Sequence, residues 1–162
     1  MPEPILVTPV AIVVGGHREP ADDYQGGVRA VIRLNPDYPL DAVQGLEEFS
    51  HLTVTWHFHL GSPDDVELHA RSPRGNPRWP ATGTFAHRNH RRPNRLAVSY
   101  PRLVRVDGLD LHVTDLDAVD GTPIIDIAPY FQAMGPRGQV REPAWPGEML
   151  ADYWTDAAER PV

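Results

Sequence analysis

Histidines form the most regular chemical pattern in the sequence. His57 and His59 stand two residues apart, in a stretch where apolar and polar residues alternate from Leu52 to Leu60. Residues i and i+2 of a strand point to the same face, about 7 Å apart. With a carboxylate such as Glu67, this pair could ligate a divalent metal in the manner of cupin-like sites. Threonines share the face and no third ligand is fixed by spacing, so we favour hydrogen-bonded histidines with no metal.

A second candidate is the arginine-rich loop between Thr84 and Arg95. Arginine holds a carboxylate or phosphate through two parallel hydrogen bonds, and Pro93 stiffens the loop just before Asn94. Nine arginines and no acidic residue lie between positions 71 and 105, although the chain as a whole has a net charge of −7. This basic segment could contact an anionic partner. Because the chain contains no lysine, arginine could also be its ordinary surface cation.

The third candidate is the turn Val119–Thr122, which precedes a β-branched stretch. Gly121 allows the backbone to approach a ligand closely, with Asp120 and Thr122 on either side. The same residues also suit a tight hairpin turn, with Asp126 as a charge at a strand edge. Spacing alone favours the hairpin interpretation.

Several other chemistries are excluded by missing residues or motifs. The chain has no cysteine, which excludes thiolate catalysis, disulfides and cysteine-ligated zinc. The glycine-rich signatures of Rossmann folds and phosphate loops are absent, as is the Gly-x-Ser-x-Gly elbow of serine hydrolases.

The elements that must position these candidates are short strands. A length of 162 residues fits one domain, and 31 prolines and glycines favour many short elements joined by turns. The pattern predicts strands at residues 5–14, 28–34, 50–60, 66–70, 83–87, 96–106, 109–114 and 124–127, with a helical turn at 43–48 capped by Asp41. Asp107-Gly108 and Asp120-Gly121 are typical hairpin turns. The predicted fold is all-β, a small antiparallel β-barrel with short helical turns.

We expect two regions in the chain. Residues 1–131 form the barrel, and residues 132–162 form an irregular tail that packs on the barrel or on a dimer partner through Trp145, Tyr153 and Trp154. No apolar run approaches the ~18 residues of a membrane span, and no membrane association is expected. The N-terminal stretch lacks the basic region of a signal peptide, so we expect a cytoplasmic protein.

Three motifs then follow one another along the chain. They read Gly45-Leu46-Glu47-x-Phe49-Ser50-His51-Leu52 with Phe58-His59, then Phe85-Ala86-x-Arg88-x-x-x-Arg92-Pro93-Asn94, then Asp120-Gly121-Thr122-Pro123-Ile124-Ile125-Asp126-Ile127-x-Pro129-Tyr130. Their order and spacing resemble the TsaA-like family of S-adenosylmethionine-dependent tRNA methyltransferases, whose best-known members are called TrmO or YaeB. The resemblance covers roughly Val28 to Tyr130.

The resemblance implies a small, non-Rossmann β-barrel methyltransferase that works as a homodimer. It implies S-adenosylmethionine as cofactor and N6 of a threonylcarbamoylated adenosine, next to the tRNA anticodon, as methyl acceptor. The residue matches place the cofactor among His59, Arg88, Arg92, Asn94, Val119, Asp120, Gly121 and Thr122. An anionic tRNA and the methionine carboxylate would also explain the arginine segment.

The remaining site residues follow from the chemistry that this reaction needs. An amide-like nitrogen is a poor nucleophile until its proton leaves, so a nearby base is expected. The candidate catalytic residues are Asp120, Asp126 and His87, with Asp120 mainly an orienting group. We expect Arg91, Arg95 and Tyr130 to bind the substrate.

The chain also departs from the family pattern. Its arginine loop differs at His87, Asn89, His90, Arg95 and Ala97, and Ala128 replaces the usual lysine. The Pro-Arg-Gln segment that helps hold the cofactor is reduced to Tyr24-Gln25-Gly26, and the larger C-terminal domain of bacterial members is not expected. Alternatives therefore stay open: a small-molecule acceptor in place of tRNA, a non-catalytic binding module, or a cupin-like metal protein.

Overall fold

Seven strands and one short helix make up the regular structure of the computed structural model, which describes residues 1–162. The strands are β1 (Ala11–Gly15), β2 (Arg29–Leu34), β3 (Leu52–His57), β4 (Leu96–Ser99), β5 (Arg102–Asp107), β6 (Asp110–Thr114) and β7 (Pro123–Pro129). The helix is α1 (Ala144–Met149). Single 3-10 turns span Leu40–Val43, Leu46–Glu48, Pro63–Asp65, Pro73–Gly75, Thr84–Ala86, Gln132–Met134 and Ala157–Glu159. None of these helices has the length and apolar character that crossing a membrane requires.

All seven strands belong to one sheet in the order β4-β3-β7-β1-β2-β6-β5. Every pair of neighbouring strands is antiparallel. The predicted all-β class with short helical turns is confirmed. In the ladder order, β4 and β5 are the two edge strands.

The apolar core lies on one face of this sheet. Period two places Leu52, Val54 and Trp56 of β3 on the buried face. Alternate residues of the other strands complete the core, among them Ile32 of β2 and Leu111 of β6, both fully buried. The alternation predicted for β3 is confirmed from Leu52 to Trp56.

Two predicted strands are longer in the sequence pattern than in the structure. The strand predicted at 5–14 begins only at Ala11, because Pro9 has no N–H to donate, and Ile5 and Leu6 remain exposed. The strand predicted at 50–60 ends at His57, because the chain turns at residues 58–61, where Gly61 N donates back to the carbonyl of Phe58.

Two other predicted strands are wrong, and a third is divided into two. Residues 66–70 form no strand, and 83–87 contain a 3-10 turn. The strand predicted at 96–106 divides into β4 and β5, because Pro101 interrupts the ladder of hydrogen bonds.

The two predicted hairpin turns have different outcomes. Asp107-Gly108 joins β5 to β6, as predicted, and Gly108 has a φ of +59°. Asp120-Gly121 forms a turn, but not a hairpin, because β6 and β7 are not neighbours in the sheet. The helical turn predicted at 43–48 is two 3-10 turns, and Asp41 makes no side-chain cap.

Candidate functional site

The turn that follows β3, residues 58–61, is the point where the predicted site residues meet. His59 lies in this turn, and a Cβ added to Gly121 would be 3.6 Å from its Nε2 atom. Gly121 has a φ of +79°, a conformation that residues with side chains rarely adopt. The structure thus brings together two residues that lie more than sixty positions apart in the chain.

The turn Val119–Thr122 is fixed by its backbone. Asp120 N donates to the carbonyl of His17 over 2.8 Å, and Gly121 N donates to Val13 over 2.8 Å. The Asp120 carboxylate accepts a 2.7 Å hydrogen bond from Gly15 N through Oδ1, while Oδ2 has no protein partner. These bonds attach the turn to the end of β1, and the exposed Asp120 keeps one oxygen free.

Thr122 adds a second unused polar atom to this turn. Its side chain is 1% exposed, and its Oγ1 has no hydrogen-bond partner within the chain. A buried hydroxyl without a partner is uncommon and costs stability unless a ligand or solvent satisfies it.

The arginine loop lies against the other side of the turn at residues 58–61. The Arg95 guanidinium donates to the carbonyl of Gly61, and Phe58 N donates to the carbonyl of Arg95 over 2.9 Å. The His90 ring lies 6.1 Å from the Phe58 ring. The loop and the turn Val119–Thr122 therefore flank the same short segment.

Two arginines of the loop donate to the backbone near β4. Arg92 donates through Nη2 to the carbonyl of Leu96, and Arg88 donates to the carbonyl of Val98 over 2.8 Å. Burial lowers the pKa of Arg92, and the nearby Arg88 lowers it further. A guanidinium nonetheless stays protonated at neutral pH. Asn94 is exposed in the same loop.

Most of the positive charge in this segment is not neutralised. Of the nine arginines between positions 71 and 105, only Arg74 and Arg105 form ion pairs, with Asp23 and Asp107, each at 3.0 Å. The others that form side-chain hydrogen bonds donate to uncharged oxygens. The loop therefore presents a positive surface to an anion.

The histidines do not form a metal centre. No three histidine, aspartate or glutamate side chains are grouped so that they could hold a metal ion. Burial lowers the pKa of His57 below 6.5, and the positive charge of Arg95 and a smaller effect of His59 lower it further. His57 is therefore neutral at pH 7.

Other predicted site residues lie apart from this meeting point. His87 is buried, and its Nε2 lies 3.1 Å from both Oγ1 and the carbonyl oxygen of Thr82. Tyr130 follows the end of β7, whereas Gly121 precedes its start, and seven strand residues at ~3.3 Å each separate the two by about 23 Å. Asp126 is exposed within β7, and Arg91 is exposed on the loop.

Sequence reasoning missed the groups that support the turn. Gly15, which donates to Asp120, is more than a hundred residues away in the chain, and no motif connects them. Asp117 precedes the turn by two residues, and its carboxylate accepts hydrogen bonds from Ser99 and Tyr153. Leu116 and Ala118, on either side of Asp117, are buried, and their apolar character is the one feature of the sequence that could have indicated an ordered loop.

In chemical terms the site offers cations on one side and hydroxyl-binding groups on the other. Arg88 and Arg92 could hold a carboxylate. The free oxygen of Asp120 and the hydroxyl of Thr122 could bind hydroxyl or amine groups. Such a set suits a small molecule with a carboxylate at one end and a polar, uncharged part at the other.

Comparison with known proteins identifies the family of the chain. Residues 19–135 match the family described as the tRNA-methyltransferase O N-terminal domain. The tRNA (adenine(37)-N6)-methyltransferase of Escherichia coli is 43% identical over 104 residues, covering 60% of this chain and 43% of that protein. The "Probable S-adenosyl-L-methionine-binding protein" of Methanothermobacter thermautotrophicus is 34% identical over 132 residues, covering 79% of this chain and 91% of that protein.

A solved structure of a TrmO protein has a similar fold. The crystal structure of TrmO from Pseudomonas aeruginosa superposes with a TM-score of 0.67 at 26% identity, covering 86% of this chain and 62% of that one. The chain spans between about a quarter and about half of the length of several curated relatives that it matches.

Proposed function

The chain belongs to the tRNA-methyltransferase O N-terminal domain family, and we propose on this basis that it is an S-adenosylmethionine-dependent methyltransferase. Its proposed acceptor is N6 of a threonylcarbamoylated adenosine next to the anticodon of tRNA. The observation that carries the proposal is the meeting of His59, the turn Val119–Thr122 and the arginine loop at residues 58–61.

The residues of this site fit S-adenosylmethionine. Gly121 leaves space beside His59 that a larger side chain would fill, and the Thr122 hydroxyl lacks a partner. Arg88 and Arg92 would hold the methionine carboxylate, and Asp120 would accept from the ribose hydroxyls through its free oxygen. His59, Asn94 and Val119 would complete the site. When bound, the cofactor supplies a methyl group on a positively charged sulfur, ready for in-line displacement.

The chain's own residues contribute mainly orientation to this reaction. Asp120 already binds Gly15 N through one oxygen, which suits an orienting role. Among the candidate bases, the exposed Asp126 is more accessible to a bound substrate than His87, because His87 is buried and engaged with Thr82. We propose Asp126 for proton removal from N6, which requires the acceptor base to reach from the cofactor along β7 to this carboxylate.

Substrate contacts would come from the exposed part of the arginine loop. Arg91 is exposed and has no carboxylate partner, which suits a phosphate contact. Arg95 contacts Gly61 and would both shape the loop and add positive charge. Tyr130 and Tyr100 form an edge-to-face pair with ring centroids 5.5 Å apart and remain exposed, which suits stacking on an unpaired base.

We further propose a homodimer and a closed barrel. The homodimer is inferred from the family to which the chain belongs. An antiparallel bridge between His51 and Arg102 links the start of β3 to the edge strand β5, which supports closure. A tRNA substrate places the protein in the cytoplasm. Light scattering should give a dimer, and a monomer that still binds cofactor would contradict this.

Transfer of a labelled methyl group separates the candidate functions. Incubated with labelled S-adenosylmethionine and either total tRNA or a metabolite extract, the protein should label tRNA, with or without a chelator. If the label were found only in small molecules, the methyl acceptor would be a metabolite and not tRNA, which the altered arginine loop allows. Cofactor binding without any transfer would leave a binding module, and activity lost to a chelator and restored by a divalent ion would contradict the proposal.

A further inference from the structure

The C-terminal strap, residues 144–157, crosses the molecule and contacts three separate loops. It contains α1 and a following stretch of turns, and it differs from the predicted irregular tail because its backbone and side chains have defined partners. Two of the contacts fall next to predicted cofactor-binding residues, and the third falls on the remnant of the family's Pro-Arg-Gln segment.

The first contact is with the segment Tyr24–Gly26. Gln25 N donates to the carbonyl of Tyr153 over 2.7 Å, and Gly26 pairs with Asp156 in a parallel bridge. A Cβ on Gly26 would lie 2.2 Å from the carbonyl oxygen of Trp154, so the two backbones touch. The strap thus fixes the segment that resembles the family's Pro-Arg-Gln motif.

The second contact is a buried polar chain that leads to the turn Val119–Thr122. The Tyr153 hydroxyl donates to Asp117 Oδ2 over 2.5 Å, and the Ser99 hydroxyl donates to Asp117 Oδ1. Trp56 Nε1 donates in turn to Ser99 Oγ over 2.9 Å. Burial raises the pKa of Tyr153, and the negative charge of Asp117 raises it further, so the hydroxyl keeps its proton and donates. Asp117 is thereby fixed between the core and the strap.

The third contact is with the arginine loop. Trp145 of α1 lies 6.2 Å from the ring of His87, the residue before Arg88. Glu148 accepts a 2.8 Å hydrogen bond from Trp79 Nε1. His87 is buried between Thr82 and Trp145, and its role is therefore to anchor the loop to the strap.

We propose that the C-terminal strap is a positioning element of the cofactor site, with Tyr153 as its central positioning residue. The strap contacts Gln25, His87 next to Arg88, and Asp117, which lies two residues before Val119. One segment thus holds three loops that belong to different parts of the sheet. This inference rests on the proposed function. It adds that cofactor affinity depends on residues that do not touch the cofactor.

The test replaces the Tyr153 hydroxyl alone. Tyr153→Phe should weaken S-adenosylmethionine binding about tenfold, the effect of one lost bond to a charged group, and leave kcat at saturating cofactor unchanged. Amide hydrogen exchange, measured without cofactor, should be faster at Val119–Thr122 and at Gln25. Tyr38→Phe is the matched control, because the Tyr38 hydroxyl makes no hydrogen bond within the chain, and it should change neither quantity.

Each result can be assigned to one claim. Unchanged affinity and exchange in Tyr153→Phe would overturn the strap proposal while leaving the methyltransferase proposal intact. A wild-type protein that binds no S-adenosylmethionine would overturn the proposed function, and exchange at the turn would still test the strap. If Tyr153→Phe does not fold, Trp145→Leu removes the ring that faces His87 at the third contact. It should speed exchange at His87 and Arg88, and unchanged exchange there would contradict the proposal.

Discussion

The turn Val119–Thr122 and the arginine loop flank the same segment but are held in opposite ways. The turn is fixed by backbone hydrogen bonds to Val13 and His17, and its side chains largely remain available. In the loop, the side chains form the hydrogen bonds, with Arg92 and Arg95 donating to backbone carbonyls. One region is organised by its backbone and the other by its cations.

This difference has a chemical consequence. A carbonyl oxygen accepts a hydrogen bond from a guanidinium but does not neutralise its charge. The loop is therefore both ordered and positively charged. The turn has little need of its side chains for its own structure, apart from one oxygen of Asp120. We therefore expect substitutions in the turn to act mainly on ligand contacts, and substitutions in the loop to combine lost order with lost charge.

The largest expected effect comes from a side chain on the turn. Gly121→Val forces a β-branched residue into a φ of +79° and places it against His59. S-adenosylmethionine affinity measured by calorimetry should fall at least about thirtyfold. Gly45→Val is the matched control, since Gly45 has a φ of +80° with open space around it, and it should lower stability without changing affinity. If both variants lost the same amount of affinity, backbone strain alone would explain the effect, and the proposed contact of Gly121 with the cofactor would be contradicted.

The second prediction compares two neighbouring arginines of the loop. Arg92→Ala should weaken cofactor binding about tenfold, because a charged donor is lost from the site. Arg91→Ala should leave cofactor affinity unchanged and weaken tRNA binding, with the log–log salt slope smaller by about 0.7 to 0.9. The same response in both variants would show that the loop does not divide its cations between cofactor and substrate.

The third prediction separates the roles of Asp120. If Asp120 orients ligand and backbone, Asp120→Asn keeps an acceptor for Gly15 N and should lower affinity and kcat only a few-fold. Asp120→Ala loses that acceptor and should cost about tenfold. If kcat in Asp120→Asn fell by two orders of magnitude or more with unchanged affinity, Asp120 would be the base in place of Asp126.

The smallest effect concerns His57, which lies beside both regions. Because its pKa is lowered in the folded protein, the unfolded chain binds more protons below pH 6.5, and stability should fall as the pH drops through that range. His57→Gln should remove a small part of this acid loss in urea unfolding at pH 5 and leave stability at pH 8 nearly unchanged. If the pH dependence of stability were the same in His57→Gln as in the wild type, His57 would not be the source of this acid loss.

The two regions also differ in how far the sequence predicted them. Period two along β3 predicted the buried face of Leu52, Val54 and Trp56 correctly, because alternation is a local property of a strand. The positions of strand ends and the division at Pro101 were missed, since they depend on which distant backbone groups are available.

For the site, the resemblance supplied residues whose spacing alone did not connect them. The meeting of His59 with Gly121 agrees with it, whereas the buried position of His87 and the distance of Tyr130 could not be inferred from motif matches. Tyr153 was predicted to pack the tail on the barrel, but its bond to Asp117 and the bond from Gly15 to Asp120 were not predictable, because each joins groups that are distant in the chain.

The most direct test of the account is whether both regions bind one cofactor molecule. In a two-dimensional NMR titration with S-adenosylmethionine, in the presence of a chelator, the amide signals of Val119–Thr122 and the side-chain Nε–H signal of Arg92 should shift together with a single dissociation constant. The signals of Gly45 and Tyr38, which form hydrogen bonds only within their own turns, serve as references. Shifts confined to one region, two different dissociation constants, or no shift at all would contradict the account.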